Sequence, residues 1–395
     1  MAFVLIIIAA MFAFDSWWWF YAHRAAQRHG LGRGWKIALA VTMSIALAGL
    51  ALLLIARILQ MQAMVMPERL VVLVYIWHLL ILPLIALPSL AAYLGAKLVR
   101  LVRSQPIEPA RMKTDGALDP SRRAFLAQAL VVVPPVATLA LAGKSAWEQD
   151  HFRINRIQVP LAALPAELEG MTIAFVSDPH VGSFMTNEKF NRIITATNEL
   201  DADLVLHGGD LINSSLKDLP DGIELLRGMR GRYGVYSCQG NHDRIMSAAI
   251  FERDTRRAGV GMLLDEAPTL RIKGRDVQIL SPRWRGRSES QVAAAVNDLL
   301  PLRNSNAFSI LLAHHPHSFD AAVAASLPLT VAGHSHGGQL GLTRDIGIGR
   351  VMYRYWSGLY QRGGSACVVS NGVGNWFPVR LNVPCEIVHL TLRRA

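Results

Sequence analysis

The order of apolar and polar positions divides the chain near residue 143. Before about Gly143 long apolar stretches dominate, whereas after Trp147 short β-branched runs, polar turns and amphipathic segments alternate as they do in a water-soluble domain. Apolar segments run over about 2–21, 37–58, 70–98 and 124–142, each near the length needed to cross a hydrocarbon core of about 30 Å. The first ends in Trp17, Trp18, Trp19, Phe20 and Tyr21, whose amphipathic rings favour the headgroup layer. It lacks the basic start of a signal peptide and another apolar segment follows it, so it reads as a span. Pro134 and Pro135 interrupt the fourth segment. The pattern predicts a helical membrane region of about four helices over 1–143, followed by a globular domain over 144–395.

Within the second part the pattern from Ile157 onward is strand, helix, strand. A helix is predicted over Glu188 to Leu200, with Ile193, Ile194 and Thr197 on one face. Further helices are predicted near Gly222 to Arg230, Ala248 to Arg257 and Ser290 to Leu300, and strands return at Ser365 to Ser370 and Cys385 to Leu392. That alternation describes an α/β layered domain with its loops free to carry a site.

Composition agrees with a mixed chain: 52% of the 395 residues are hydrophobic and only 17% charged, too apolar for an ordinary soluble protein. The formal charge of +11 would suit nucleic acid, but many basic residues flank the apolar segments, where topology explains them, so no nucleic-acid partner is expected. Arg24, Arg28, Arg33 and Lys36 lie between the first two segments. Lys97, Arg100, Arg103, Arg111, Lys113, Arg122 and Arg123 lie around the link between the last two. The middle loop offers only Arg57 and Arg69, so the charge bias puts both basic loops in the cytoplasm and the domain on the outer face, in a bacterium the periplasmic side of the inner membrane. Ser121 to Leu126 also resembles a twin-arginine export signal. Ordinary positive-inside charges would give the same orientation. The three cysteines, Cys238, Cys367 and Cys385, form no metal-ligand spacing and read as buried thiols.

The chemistry-bearing residues stand at the ends of the apolar runs of the second part. Asp178 and His180 follow Ile173 to Val176, Asp210 follows Leu204 to Leu206, His314 follows Ile310 to Leu312, and His334 and His336 follow Leu329 to Val331. Asn241 and His242 stand beside Gly240. Strand ends of α/β sheets are where sites are built. Asp, Asn and His gathered there without Cys suit divalent ions such as Mn, Fe or Zn.

In order, Ser177-Asp178-Pro179-His180, Gly208-Gly209-Asp210, Gly240-Asn241-His242-Asp243, His314, and Gly333-His334-Ser335-His336-Gly337-Gly338-Gln339 resemble the calcineurin-like metallophosphoesterase family, in its membrane-anchored bacterial branch. The resemblance covers the whole second part and implies a four-layer α-β-β-α sandwich. It implies one metal ion among Asp178, His180, Asp210 and His336, and a second among Asp210, Asn241, His314 and His334, with Asp210 bridging through its two oxygens. It further implies a bridging hydroxide that attacks phosphorus, with His242 donating to the leaving group and Asp243 holding the tautomer of His242. His315 and His317 read as polar site-edge or surface residues, and His207 and His389 as satisfied or exposed ones. Ser281 to Arg287 departs from the family by being basic and aromatic, which could suit an anionic headgroup or an ordinary solvated loop.

The reading is thus a membrane-anchored phosphoesterase with two divalent ions, acting on a phosphodiester or an envelope or lipid phosphate. The rivals are a lipid pyrophosphatase that cleaves a nucleotide-diphospho sugar lipid at the cytoplasmic face, and a catalytically silent membrane scaffold or sensor. The first rival conflicts with the expected orientation; the second would lack ligands, and none is missing.

Overall fold

The computed structural model describes residues 2–58, 66–102, 120–182, 184–343 and 346–395. The basic positions Arg103, Arg111 and Lys113 lie outside the described residues. The chain forms two compact units, Met1–Lys144 and Ser145–Ala395.

The first unit is helical: α1 (Ala2–Arg28), α2 (Arg33–Ile58), α3 (Glu68–Ile76), a π-turn at Trp77–Ile81, and α4 (Leu82–Val102). Helix α5 (Pro120–Asp150) runs through Pro134 and Pro135 into the start of the second unit. Among the described residues, two stretches, Arg33–Ala56 and Glu68–Val99, are long and apolar enough to cross a membrane. The expected first and fourth segments lie within α1 and α5. A buried polar cluster escaped the sequence pattern: Asp15 on α1 accepts from Trp77 Nε1 at 2.7 Å and lies 2.9 Å from His78 Nε2, at the π-turn. His78 Nδ1 meets the carbonyl of Val74 at 2.8 Å, so the ring fills a pairing role inside an apolar bundle.

The second unit holds two six-stranded sheets. In chain order its elements are β1 (Phe152–Leu161), β2 (Thr172–Val176), α6 (Asn187–Glu199), β3 (Leu204–His207), α7 (Leu219–Gly228), β4 (Val235–Ser237), α8 (Ala248–Arg257), β5 (Gly261–Met262) and β6 (Thr269–Ile272). There follow β7 (Arg275–Leu280), α9 (Glu289–Asn297), β8 (Phe308–Leu312), α10 (Ser318–Ala324), β9 (Leu329–Ala332), α11 (Ile348–Met352), β10 (Gly358–Arg362), β11 (Ser365–Val369) and β12 (Cys385–Arg394). One sheet has the order β1-β12-β2-β3-β4-β5 and the other β10-β11-β9-β8-β7-β6.

The central strands β2, β3, β8 and β9 pair in parallel and are buried almost throughout, which explains why their sequences read as unbroken apolar runs. Ile173, Phe175, Leu204 and Leu206 of one sheet pack with Ile279, Ile310, Leu312, Val331 and Val368 of the other, so the sheets meet face to face. The opposite faces are covered by helices. Ile193, Leu225, Leu226 and Phe251 pack on Ala174, Val176 and Val205; Val296, Leu299, Phe319 and Ala322 pack on Leu280, Leu311 and Val369.

Local signals fix the helices that follow the site loops. Thr186 caps α6 by accepting from Lys189 N, Ser247 caps α8, and Ser288 with Gln291 forms a capping box on α9. The helix expected over Gly222 to Arg230 begins earlier, at Leu219, because Pro220 sits in its first turn.

Candidate metal centre

Parallel strands point their C-terminal ends the same way, so the loops after β2, β3, β4, β8 and β9 converge at one edge of the paired sheets. Asp178, His180, Asp210, His334 and His336 all take positive φ, between 46° and 68°. Non-glycine residues rarely adopt this conformation, and its concentration here marks a site held by its surroundings. Two glycines permit the close approach. A Cβ at Gly333 would overlap Ser177 Oγ and Asp178 Oδ2, and one at Gly240 would overlap Asp210 Oδ1.

The donor atoms form a continuous chain. Asp178 Oδ1 lies 3.3 Å from His336 Nε2, which is 2.9 Å from His180 Nε2, which is 3.6 Å from Asp210 Oδ2. From Asp210 Oδ2 it is 3.3 Å to His314 Nε2, and that nitrogen is 3.2 Å from Asn241 Oδ1 and 3.1 Å from His334 Nδ1. Lone-pair atoms packed this closely repel one another unless cations lie among them, and a proton serves only one pair at a time. The set of carboxylate, amide and imidazole donors therefore fits hard-to-borderline divalent ions. Asp178, His180 and His336 form one group able to hold an ion, and Asp210, His314 and His334 another.

Asp210 stands between the two groups. Its Oδ1 accepts from the backbone amide of His242 at 2.7 Å, while Oδ2 faces both His314 and His180. Asp178 is braced similarly: Ser177 Oγ donates to Oδ2, and the amide of His334 reaches both oxygens at 3.0 and 3.1 Å.

His242 borders the same group, with one ring nitrogen within 4.8 Å of ligand atoms of His180 and Asp210. Its Nδ1 donates to the carbonyl of Asn213, so Asp243 does not hold its tautomer. Asp243 instead accepts from Gly240 N at 2.8 Å and Ile212 N at 3.2 Å, fixing the backbone of the loop. Asp243 is buried where the amides of Gly240 and Ile212 reach it, whereas His242 lines the cleft.

Charge and burial set the protonation of the site. Burial pushes the carboxyl of Asp243 up to about 7, helped by neighbouring Asp210. Burial opposes ionisation of Asp178 and Asp210 too, but His336 and His314 respectively outweigh it and hold both below the usual carboxylate range. For the histidines burial lowers basicity, and it prevails at His180, His334 and His336. At His314 the carboxylate of Asp210 reverses it, raising the imidazole to about 9.

The neighbouring histidines fall outside the donor chain. His315 is buried against Trp284, His334 and Tyr353, with burial taking its value down to about 3, and its Nδ1 accepts from His317 N. It is thus an interior neutral ring at the edge of the site and not a surface residue. His207 is buried with Nδ1 against Ser237 Oγ, and His389 meets Arg156.

Two features were beyond sequence reasoning. Arg380 is fully buried, donating to Asn375 Oδ1, Val383 O and Gly374 O, with Nη2 3.3 Å from His336 Nδ1. Nothing in the pattern around it distinguishes an interior arginine from a surface one. In the basic loop, Arg283 pairs with Glu252 and Asp265, and Arg285 with Asp265 and Asp298, so two of its cations are spoken for. Trp284 packs 5.2–5.4 Å from the rings of His314 and His334, and Arg287 lines the cleft with Asp210, Asn241, His242, His334, His336, Tyr353 and Trp376. The cleft encloses about 170 Å³.

Residues 171–338 match the family described as calcineurin-like phosphoesterase. The chain is 28% identical over 265 residues to a transmembrane protein with metallophosphoesterase domain from Danio rerio, covering 62% of this chain and 58% of that protein. It is 27% identical over 291 residues to a metallophosphoesterase of Helicobacter pylori, covering 69% and 73% of the two chains. It is 27% identical over 232 residues to the phosphodiesterase YaeI of Escherichia coli, covering 56% of this chain and 81% of that one.

Proposed function

The chain belongs, through residues 171–338, to the calcineurin-like phosphoesterase family, and from that premise we propose that it is a membrane-associated phosphoester hydrolase using two divalent ions, Mn, Fe or Zn. The observation that carries this reading is the single oxygen of Asp210 facing both His180 and His314, which joins two donor groups into one centre. Asp178, His180 and His336 would hold one ion, and Asn241, His314 and His334 the other, with Asp210 shared. When bound, such ions supply positive charge against the phosphoryl oxygens and lower the pKa of an attacking water.

The chain's own residues do the rest. The amides of His242 and His334 fix the two carboxylates, so the donors need little reorganisation. His242, held by Asn213 O at Nδ1, turns its other nitrogen to the cleft and donates a proton to the departing oxygen when protonated. Trp284 shields the His314 and His334 rings from water. Arg287 adds a cation at the mouth, suited to a further anionic group of the substrate.

The apolar stretches Arg33–Ala56 and Glu68–Val99 support attachment to a membrane. The basic loops favour the catalytic unit on the periplasmic or outer face, and a phosphodiester or envelope or lipid phosphate as substrate. The test is the full chain purified in detergent, with bound metal counted by mass spectrometry and an aryl phosphodiester offered with Mn²⁺. We expect close to two ions per chain and turnover abolished by chelation. Neither metal uptake nor metal-dependent turnover would favour a silent scaffold, and a carboxy-terminal reporter active only in the cytoplasm would reverse the orientation.

A further inference from the structure

Beyond the sheet edge, the described residues 340–343 and 346–353 are tied to one another by hydrogen bonds. Leu342 N donates to Ile346 O at 2.8 Å, Ile348 N to Leu340 O at 2.9 Å, and Asn382 Nδ2 to Gly341 O at 2.9 Å. Despite this closure, these residues turn apolar side chains outward. Val351 is 88% exposed and Leu342 83%, with Ile346, Ile348 and Met352 also exposed. Single exposed aliphatics are common, but such a concentration on one short segment marks an interaction surface.

Its placement narrows the partner. At one end, Met352 and Tyr353 line the metal cleft beside exposed Trp376. At the other, Leu342 shares an open cleft of about 360 Å³ with Trp147, which is 60% exposed on the last turns of α5, just beyond the apolar run 124–142. Tryptophan at the end of an apolar helix is a headgroup-layer residue. The exposed side chains thus extend from Trp147 to the mouth of the site. Arg287 and Arg350 are exposed beside them and, among the described residues, neither forms an ion pair. A strip of aliphatics and tryptophans carrying free arginines complements an apolar layer beneath anionic headgroups.

We infer that the exposed side chains of Leu342, Ile346, Ile348, Val351 and Met352, with Trp147 and Trp376, form a docking face for an anionic phospholipid surface, and that this face lays the mouth of the metal cleft on that surface. This deepens the phosphoesterase reading, on which it rests for the chemistry of the substrate, by naming a lipid-borne phosphoester as the substrate class.

The three native cysteines are buried, so a cysteine introduced on the full chain takes a fluorophore selectively. Val351→Cys, Ile348→Cys and, outside the strip, exposed Leu302→Cys are labelled with an environment-sensitive dye and reconstituted into phosphatidylglycerol–phosphatidylethanolamine vesicles. Spin-labelled phospholipid should quench the dye at positions 351 and 348 at least two-fold and leave 302 unchanged. Equal quenching at all positions, or none at 351 and 348, would overturn the docking face. So would cross-linking of 351 to a second copy without quenching, which would assign the strip to self-association. The triple variant Leu342→Ser, Ile346→Ser, Val351→Ser should keep turnover of a soluble aryl phosphodiester within two-fold while losing at least ten-fold on the same ester carried by a dialkyl chain in vesicles; equal turnover of both would also overturn it. If the native chain turns over neither ester, the phosphoesterase reading fails, and the quenching still decides the docking face.

Discussion

The two halves of the donor chain share one carboxylate but are held in opposite ways. Asp178, His180 and His336 are buried, with the interior cation Arg380 standing 3.3 Å behind His336, and burial keeps both imidazoles neutral. Asn241 and His334 line the cleft, Trp284 packs against His334, and His314 is drawn up to about 9 by Asp210. The first half is therefore ready for a cation at neutral pH, whereas the second holds a proton that must leave first. The lesson is that similar ligand types at similar strand ends can differ in protonation because of what lies behind them.

Removing the shared residue should erase the difference. Asp210→Ala takes the facing oxygen from both halves, and turnover of an aryl phosphodiester should fall by about 10³-fold or more, with metal content dropping at both positions. Retention of one tightly held ion would mean that the halves are independent. His242→Ala should lose roughly 10²–10⁴-fold on esters with poor leaving groups and far less on aryl esters, whose leaving groups need no proton. An equal loss on both, accompanied by loss of metal, would make His242 a ligand instead of an acid.

How much of this was legible in the sequence depends on the kind of interaction. The strands before Asp178, Asp210, His314 and His334 could be read because parallel buried strands leave continuous apolar runs, and α8 near Ala248–Arg257 because helical periodicity is local. Asn213 O as the partner of His242, and the amides that occupy Asp243, could not be read, since backbone partners leave no trace in side-chain pattern. Arg380 and Asp15 were missed for a related reason: Arg380 is buried on backbone carbonyls such as those of Asn371, Gly374 and Val383, and Asp15 on Trp77, far along the chain.

Arg380 offers a way to weaken the buried half alone. Arg380→Met keeps the volume of the stem but leaves Val383 O and Gly374 O without their donor. The expected cost is about 3 kcal/mol, read as a fall in the thermal midpoint of the metal-free chain of roughly 6–12 °C. If the midpoint is unchanged, the arginine is not what holds the loop behind His336.

The smallest effect is the sharpest test of the comparison. With His314 raised to about 9 in the metal-free chain, its proton is bound throughout the neutral range and must be expelled when an ion arrives. The sign follows directly: the His314–Asp210 pair stabilises the metal-free fold fully below the ordinary imidazole value, and this contribution is lost as pH rises through about 9. Metal affinity of that half should accordingly rise about tenfold per pH unit below 9. The half containing His180 and His336, whose basicity is lowered, should show little change from pH 7 upward. Calorimetry in buffers of different ionisation enthalpy at pH 7 should therefore find close to one proton released for one of two binding events and almost none for the other; equal release from both would mean that the proton on His314 does not distinguish the halves.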